Sequence, residues 1–210
     1  YLRSNLFEGN RAPYGGGIGV AISGRLDLGW TQLLANRADN DGGGIHSGVT
    51  YGNVLVRQTW FKGNIARSNG GGMWVPAGFA DVINSTFDGN QAAEGGGIAA
   101  GFGSMVNAAS NLFVSNTTGT LINTGGSNTS VVNHYNGFFP TVSGDFLGTY
   151  GDEGLLVGSD PLLGGSCCPG PGSPAIDAGI PDFHFNDADG SRNDMGACGG
   201  PLLSQYGPMK

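Results

Sequence analysis

Apolar and polar residues follow one another in a pattern that restarts about every 26 residues through the first half of the chain. Aligned on one asparagine per unit (Asn10, Asn36, Asn64, Asn90 and Asn116), the separations are 26, 28, 26 and 26 residues. Three residues before each asparagine stands Phe7, Leu33, Phe61, Phe87 or Phe113. Further upstream come apolar pairs, Leu26 and Leu28, Val54 and Val56, Ala80 and Val82, Val106 and Ala108, split by Asp27, Leu55, Asp81 and Asn107. Alternation at period two predicts strands with one buried face. After the asparagine comes a glycine triplet beginning at Gly15, Gly42, Gly70 or Gly95, closed by Ile18, Ile45, Met73 or Ile98. A fifth copy is decayed, with Phe113, Asn116, Thr118 and Gly119. No window sustains a helical period, and 42 glycines in 210 residues would undermine a helix.

A period this regular means a repeat architecture. A short strand-and-turn unit fits one coil of a parallel β-helix, in which coils stack at the strand spacing of about 4.8 Å. The expected fold class is therefore all-β: a β-solenoid of about five to six coils of roughly 26 residues. Residues 1–136 are assigned to the coils and 137–210 to a loop-rich C-terminal segment packed on them, because prolines and glycines accumulate after Gly137. Equivalent residues of successive coils then stack into ladders. The Asn column is expected to bond the backbone and the next Asn, and the glycines to allow positive φ and close approach of coils. The Asn, Phe and Leu33 positions are thus structural rather than ligand-binding. A calcium-binding nonapeptide roll would need an Asp after Gly15-Gly-Gly-Ile-Gly, where Val20 stands. A flat threonine array is not expected either, since Thr31, Thr50, Thr59 and Thr86 fall in no common column.

Charge narrows the partners. Nine basic against 16 acidic residues give a net charge of −7, which leaves no basic stripe to displace phosphate counterions, so no nucleic-acid partner is expected. No apolar run is long enough to span a membrane as a helix. Tyr1 falls inside a coil, so the chain reads as a mature product or fragment with an open first coil. If the tail of one copy covered that coil of another, the contact would be head-to-tail and would build a homo-oligomer or filament.

All three cysteines, Cys167, Cys168 and Cys198, lie in the C-terminal segment. Neighbouring cysteines pair only through a strained ring, so the expected disulfide joins Cys168 or Cys167 to Cys198 and leaves one thiol over. Closing a loop of 30 residues, Cys168 to Cys198, contributes about 3 to 4 kcal/mol in an oxidising compartment.

Three stretches of the tail carry a resemblance: Ser159-Asp-Pro-Leu162, Gly172-Ser-Pro-Ala-Ile-Asp-Ala-Gly179 and Asp187-Ala-Asp-Gly-Ser-Arg-Asn-Asp-Met-Gly-Ala197. Together they resemble the closing signature of right-handed parallel β-helix proteins of the pectate-lyase-like superfamily. The Phe-x-x-Asn and Gly-Gly-Gly-Ile units are similar to repeats of polymorphic outer membrane proteins. The resemblance implies a right-handed coil, an extracellular or cell-surface location and an adhesive role. It does not imply a disulfide at Cys198, where the family usually carries Tyr.

Candidate chemistry is sparse. Asp187, Asp189 and Asp194 form the densest acidic cluster, in an order familiar from calcium loops, which makes Ca2+ the candidate cofactor. The competing reading braces Arg192 against Asp177 or Asp194, with Asp187 making turn bonds. Asp39, Asp41 and His46 flank the second glycine triplet, where a carboxylate beside a histidine could serve as acid and base. His134 and His184 have no metal-ligand spacing. Outward Trp60, Trp74, Tyr14 and Tyr51 could stack on sugars, and sequons stand at Asn84, Asn116 and Asn128. The catalytic carboxylate and basic sets of pectate lyases and polygalacturonases are not recognisable. The expected function is a noncatalytic extracellular structural or adhesive β-helix, with a carbohydrate-active or glycan-binding domain as the alternative.

Overall fold

A computed structural model describes residues 1–20, 24–48, 53–117, 119–140 and 149–201. It is all-β, with parallel strands wound into a β-solenoid of about five turns spaced about 26 residues apart. Four parallel sheets run along the rod. Sheet 1 holds Leu2–Arg3, Leu26–Gly29, Asn53–Arg57, Gly78–Ile83, Ser104–Ala109, Ser130–His134 and Tyr150–Glu153. Sheet 2 holds Leu6–Glu8, Gln32–Leu34, Trp60–Lys62, Thr86–Asp88, Leu112–Val114, Gly137–Phe139 and Leu156–Val157. Sheet 3 is short, with Arg11–Ala12, Arg37–Ala38 and Ile65–Ala66. Sheet 4 holds Ile18–Val20, Ile45–Ser47, Met73–Val75, Ile98–Ala100 and Leu121–Asn123. Past residue 136 the strands join sheets 1 and 2 only.

Register is set by the columns. Phe61 pairs with Leu33 on one side and Phe87 on the other, Phe87 with Phe113, and Phe113 with Phe138. The rings of Phe61, Phe87, Phe113 and Phe138 stack at centroid distances of 4.4, 5.0 and 5.1 Å. Leu28, Val56, Val82 and Ala108 line the opposite wall, and Ile45, Met73, Ile98 and Leu121 the third, all buried. A one-residue slip would turn every one of them outward, so the register is fixed by burial.

The Asn column satisfies itself. Asn64 donates from both its backbone N and Nδ2 to Asn90 Oδ1, at 3.0 and 2.9 Å, and Nδ2 also donates to Leu33 O. Asn10, Asn36 and Asn90 repeat the pattern toward the next coil. A second polar ladder runs five residues earlier in each coil: Asn5, Thr31, Thr59, Ser85, Asn111 and Asn136. Thr59 N donates to Ser85 Oγ, Ser85 N to Asn111 Oδ1 and Asn111 N to Asn136 Oδ1. Thr31 and Thr59 share this buried column, while Thr86 pairs with Trp60 in the next one and Thr50 lies outside the described residues.

The three glycines of each triplet do different work. The first turns the chain at positive φ, 64° at Gly70. The third lets the coils close: a Cβ on Gly72 would stand 2.6 Å from Gly97 O and 2.7 Å from Phe87 Cδ1. The aromatic ladder thus fits only where this glycine has no side chain.

From Gly158 to Pro201 the tail is mostly loop, with one 3-10 turn at Phe183–Phe185. It lies along the side of the rod, on the corner between sheets 1 and 2. That corner is a column of non-glycine residues at positive φ, Trp30, Gln58, Asn84, Ser110 and Tyr135. Gln58 Nε2 donates to Gly199 O, Asn84 Nδ2 to Asn193 Oδ1 and to Asp194 O. Ser110 Oγ accepts from Ile180 N and Asn193 Nδ2, and Ser110 O from Gly196 N. Ala175 and Met195 form a small second core with Leu112.

Candidate functional site

The sequence-level candidates separate in space and mostly serve structure. Asp187 accepts from Asp194 N and from Gly200 N, the latter at 2.6 Å. Burial pushes its carboxyl up to about 6, against those two bonds, which favour the charged form. Asp189 accepts from Ser191 N and Oγ, which holds its carboxyl below the ordinary range. Asp194 accepts from Asp177 N, and burial raises its carboxyl. These oxygens brace the tail; among the described residues the one group of three metal-competent side chains within 4.8 Å is Cys167, Cys168 and Cys198. Asp187 thus makes the turn bonds of the competing reading. Arg192 spans neither Asp177 nor Asp194 in a described ion pair; its Nε and Nη2 donate to Gly179 O, and it lies 5.8 Å over the Tyr135 ring.

Cys168 and Cys198 are joined, and Cys167 is the remaining thiol, raised by burial. Asp39 and Asp41 are engaged. Asp39 Oδ1 accepts from Arg11 Nε at 3.0 Å and Nη2 at 2.6 Å, and Asp41 Oδ1 from Asn69 N and Nδ2. Burial lowers the His46 imidazole below its ordinary value, so it is neutral at pH 7, with Tyr14 edge-on at 5.3 Å. Trp60 and Trp74 are half-buried, Lys62 Nζ sits 4.8 Å over Trp60, and Tyr51 and Thr118 lie outside the described residues. Asn84 and Asn116 are buried in the fold, which leaves Asn128 as the exposed sequon.

What the sequence reading missed is the outer face of sheet 3. Arg11 and Arg37 are register partners, so their side chains rise from adjacent coils, with Arg67 one coil further. Arg37, Ala38, Asp39, Ile65 and Arg67 line an open groove of about 420 Å³. Neither Arg37 nor Arg67 has an ion-pair partner among the described residues, whereas Asp39 is taken by Arg11. Three of the chain's nine cationic side chains gather here in a protein of net charge −7, so this face opposes the overall field. The signal lay in Asn-Arg-Ala at Asn10 and Asn36 and Ile-Ala-Arg after Asn64, which the column alignment did not use.

No protein-family model, curated protein or solved structure matches the chain. No described helix is long and apolar enough to cross a membrane.

Proposed function

We propose that the protein is a noncatalytic extracellular adhesive rod whose sheet 3 face holds an anionic surface glycan. The observation that carries the reading is the groove between Arg37 and Arg67: two forked donors without a carboxylate of their own, above an apolar floor of Ala38 and Ile65. Guanidinium groups suit carboxylate and sulfate oxygens because they offer paired donors in one plane. Arg37 pairs in register with Ile65, so Arg67 stands one coil, about 5 Å, further along the rod axis and two residues across from it. The alternative, hydrolysis or elimination on a polysaccharide, would need a free acid and base, and the Asp39 and Asp41 carboxylates are held by Arg11 and Asn69.

Glycan retention tests the proposal. A carboxylated or sulfated polymer should retain the protein at low salt and release it as salt rises, while a neutral polymer does not. Arg37→Ala with Arg67→Ala should abolish retention without changing the unfolding midpoint. Retention that survives the double substitution would remove the groove from the reading, and new reducing ends or unsaturated products would favour the enzyme.

A further inference from the structure

We propose that Cys167, Cys168 and Cys198 form a redox-gated site for a thiophilic divalent ion, with zinc the best fit. Cys167 Sγ lies 3.7 Å from Cys198 Sγ and 3.9 Å from Cys168 Sγ. Around tetrahedral zinc, with bonds of about 2.3 Å to sulfur, neighbouring thiolates stand about 3.8 Å apart. Cys167 therefore already holds ligand spacing to both partners. Only the bonded pair must separate.

The bridge is not what gathers the three. Thr86 Oγ1, on the rod, donates to Cys167 O at 2.8 Å and accepts from Ala197 N at 2.9 Å, so one hydroxyl fixes the segments carrying Cys167 and Cys198. Ser166 Oγ accepts from Cys168 N, and Gly199 N donates to Gly196 O across the turn that carries Cys198. Asn84, Ser110 and Leu112 hold the same tail by contacts that no reductant touches.

A fourth ligand has room. Cys167 shares a cavity of about 150 Å³ with Trp30, Gln58 and Trp60, among others. Gln58 Oε1 and Trp60 Nε1, on two of those residues, are buried without a hydrogen-bond partner among the described residues. Buried polar atoms are rarely left so, and a water in the cavity would satisfy them. A zinc-bound water would complete an open, three-thiolate site.

The chemistry balances with a thiol reductant. Two reductant thiols become a disulfide, and Cys168 and Cys198 each gain an electron and a proton. Zinc then displaces three thiol protons, leaving three thiolates, the ion and a net charge of −1. Exchange with a small-molecule disulfide, which takes two electrons and leaves as two thiolates, rejoins Cys168 to Cys198, removes two ligands and expels the ion. This gate is independent of the glycan-binding face.

The full chain, reduced with a phosphine under argon, is titrated with Co2+ and then Zn2+. One equivalent of Co2+ should produce sulfur-to-cobalt charge-transfer absorption and change tryptophan fluorescence; Zn2+ should displace it, and the oxidised protein should show neither. Affinity should rise with pH, since the thiols must ionise. Cys167→Ser, which retains the bridge-forming pair, should bind at least about 100-fold more weakly, and Thr86→Val, which keeps all three thiols, about 10- to 100-fold more weakly. Absence of the thiolate band in reduced protein, or a band unchanged in Cys167→Ser, would overturn the site. Should reduction loosen the tail, Zn2+ must restore its hydrogen-exchange protection; failure to do so would also overturn it.

Discussion

The coiled body and the tail are held by opposite strategies. In the body, residues meet their counterparts one coil away: Asn64 bonds Asn90, Phe61 stacks on Phe87, and the third glycine of one triplet lies under the next. In the tail each contact occurs once. Gln58 reaches Gly199 across 141 residues, Asn84 reaches Asn193 across 109, and Thr86 bridges the backbone at Cys167 and Ala197. The body spreads its stability over equivalent layers, whereas the tail depends on a few polar latches, one small apolar cluster and one bridge. Damage to the body should therefore propagate, and damage to the tail should stay local.

The sharpest way to break that contrast is Phe87→Ala. Phe87 is fully buried between two other rings, so its loss removes two stacked contacts and leaves a cavity worth about 3 to 5 kcal/mol. Urea unfolding should show the whole rod shifted to lower denaturant. Should only the coil around residue 87 lose structure, the body does not behave as a cooperative stack.

A smaller, confined effect is expected from Asn193→Ala. Asn193 is fully buried, accepts from Asn84 Nδ2 at 2.7 Å and donates to Ser110 Oγ at 3.0 Å. Its removal should cost about 1 to 3 kcal/mol. Hydrogen exchange should rise over 173–200 and stay unchanged over 53–116; a change in both would mean that the tail and the body unfold together.

The smallest effect sharpens the comparison through pH. Asp187 titrates near 6 in the folded tail against an ordinary 3.8, chiefly because of burial. The folded form therefore holds the extra proton between those values, and this contribution to stability is fully present below about 3.8 and lost as pH rises through 6. Burial moves Asp194 in the same direction. Proteolysis of the tail should be slower at pH 5 than at pH 7, and Asp187→Asn should flatten that difference. An unchanged slope in the variant would assign the pH response to another group.

The same contrast explains what could be read from residues alone. Phe87, Asn90 and Gly95 were legible because the pattern recurs and recurrence exposes a column. The second ladder was harder to see, since Thr31, Thr59, Ser85 and Asn111 share a role without sharing a side chain. Only their constant offset of five residues from the ladder Asn gives them away. The latches of the tail leave no periodic trace, because Asn84, Ser110 and Gln58 look like ordinary turn residues until their distant partners are known. Asp187 and Asp194 read two ways for a related reason: acidic turns and calcium loops use the same residues. Arg37 and Arg67 escaped notice because the chain's net charge is negative while the local charge of sheet 3 is not.

The Asn ladder points one way. From Asn10 to Asn90 every amide hands one hydrogen to the Oδ1 of the coil that follows, and from Asn36 on it hands the other to a backbone oxygen of the coil before. The carboxamides therefore line up head to tail, like compass needles in a row, and each polarises its neighbour. The ladder thereby gives the rod a sense of direction along its axis, with each Oδ1 turned toward the lower-numbered coil.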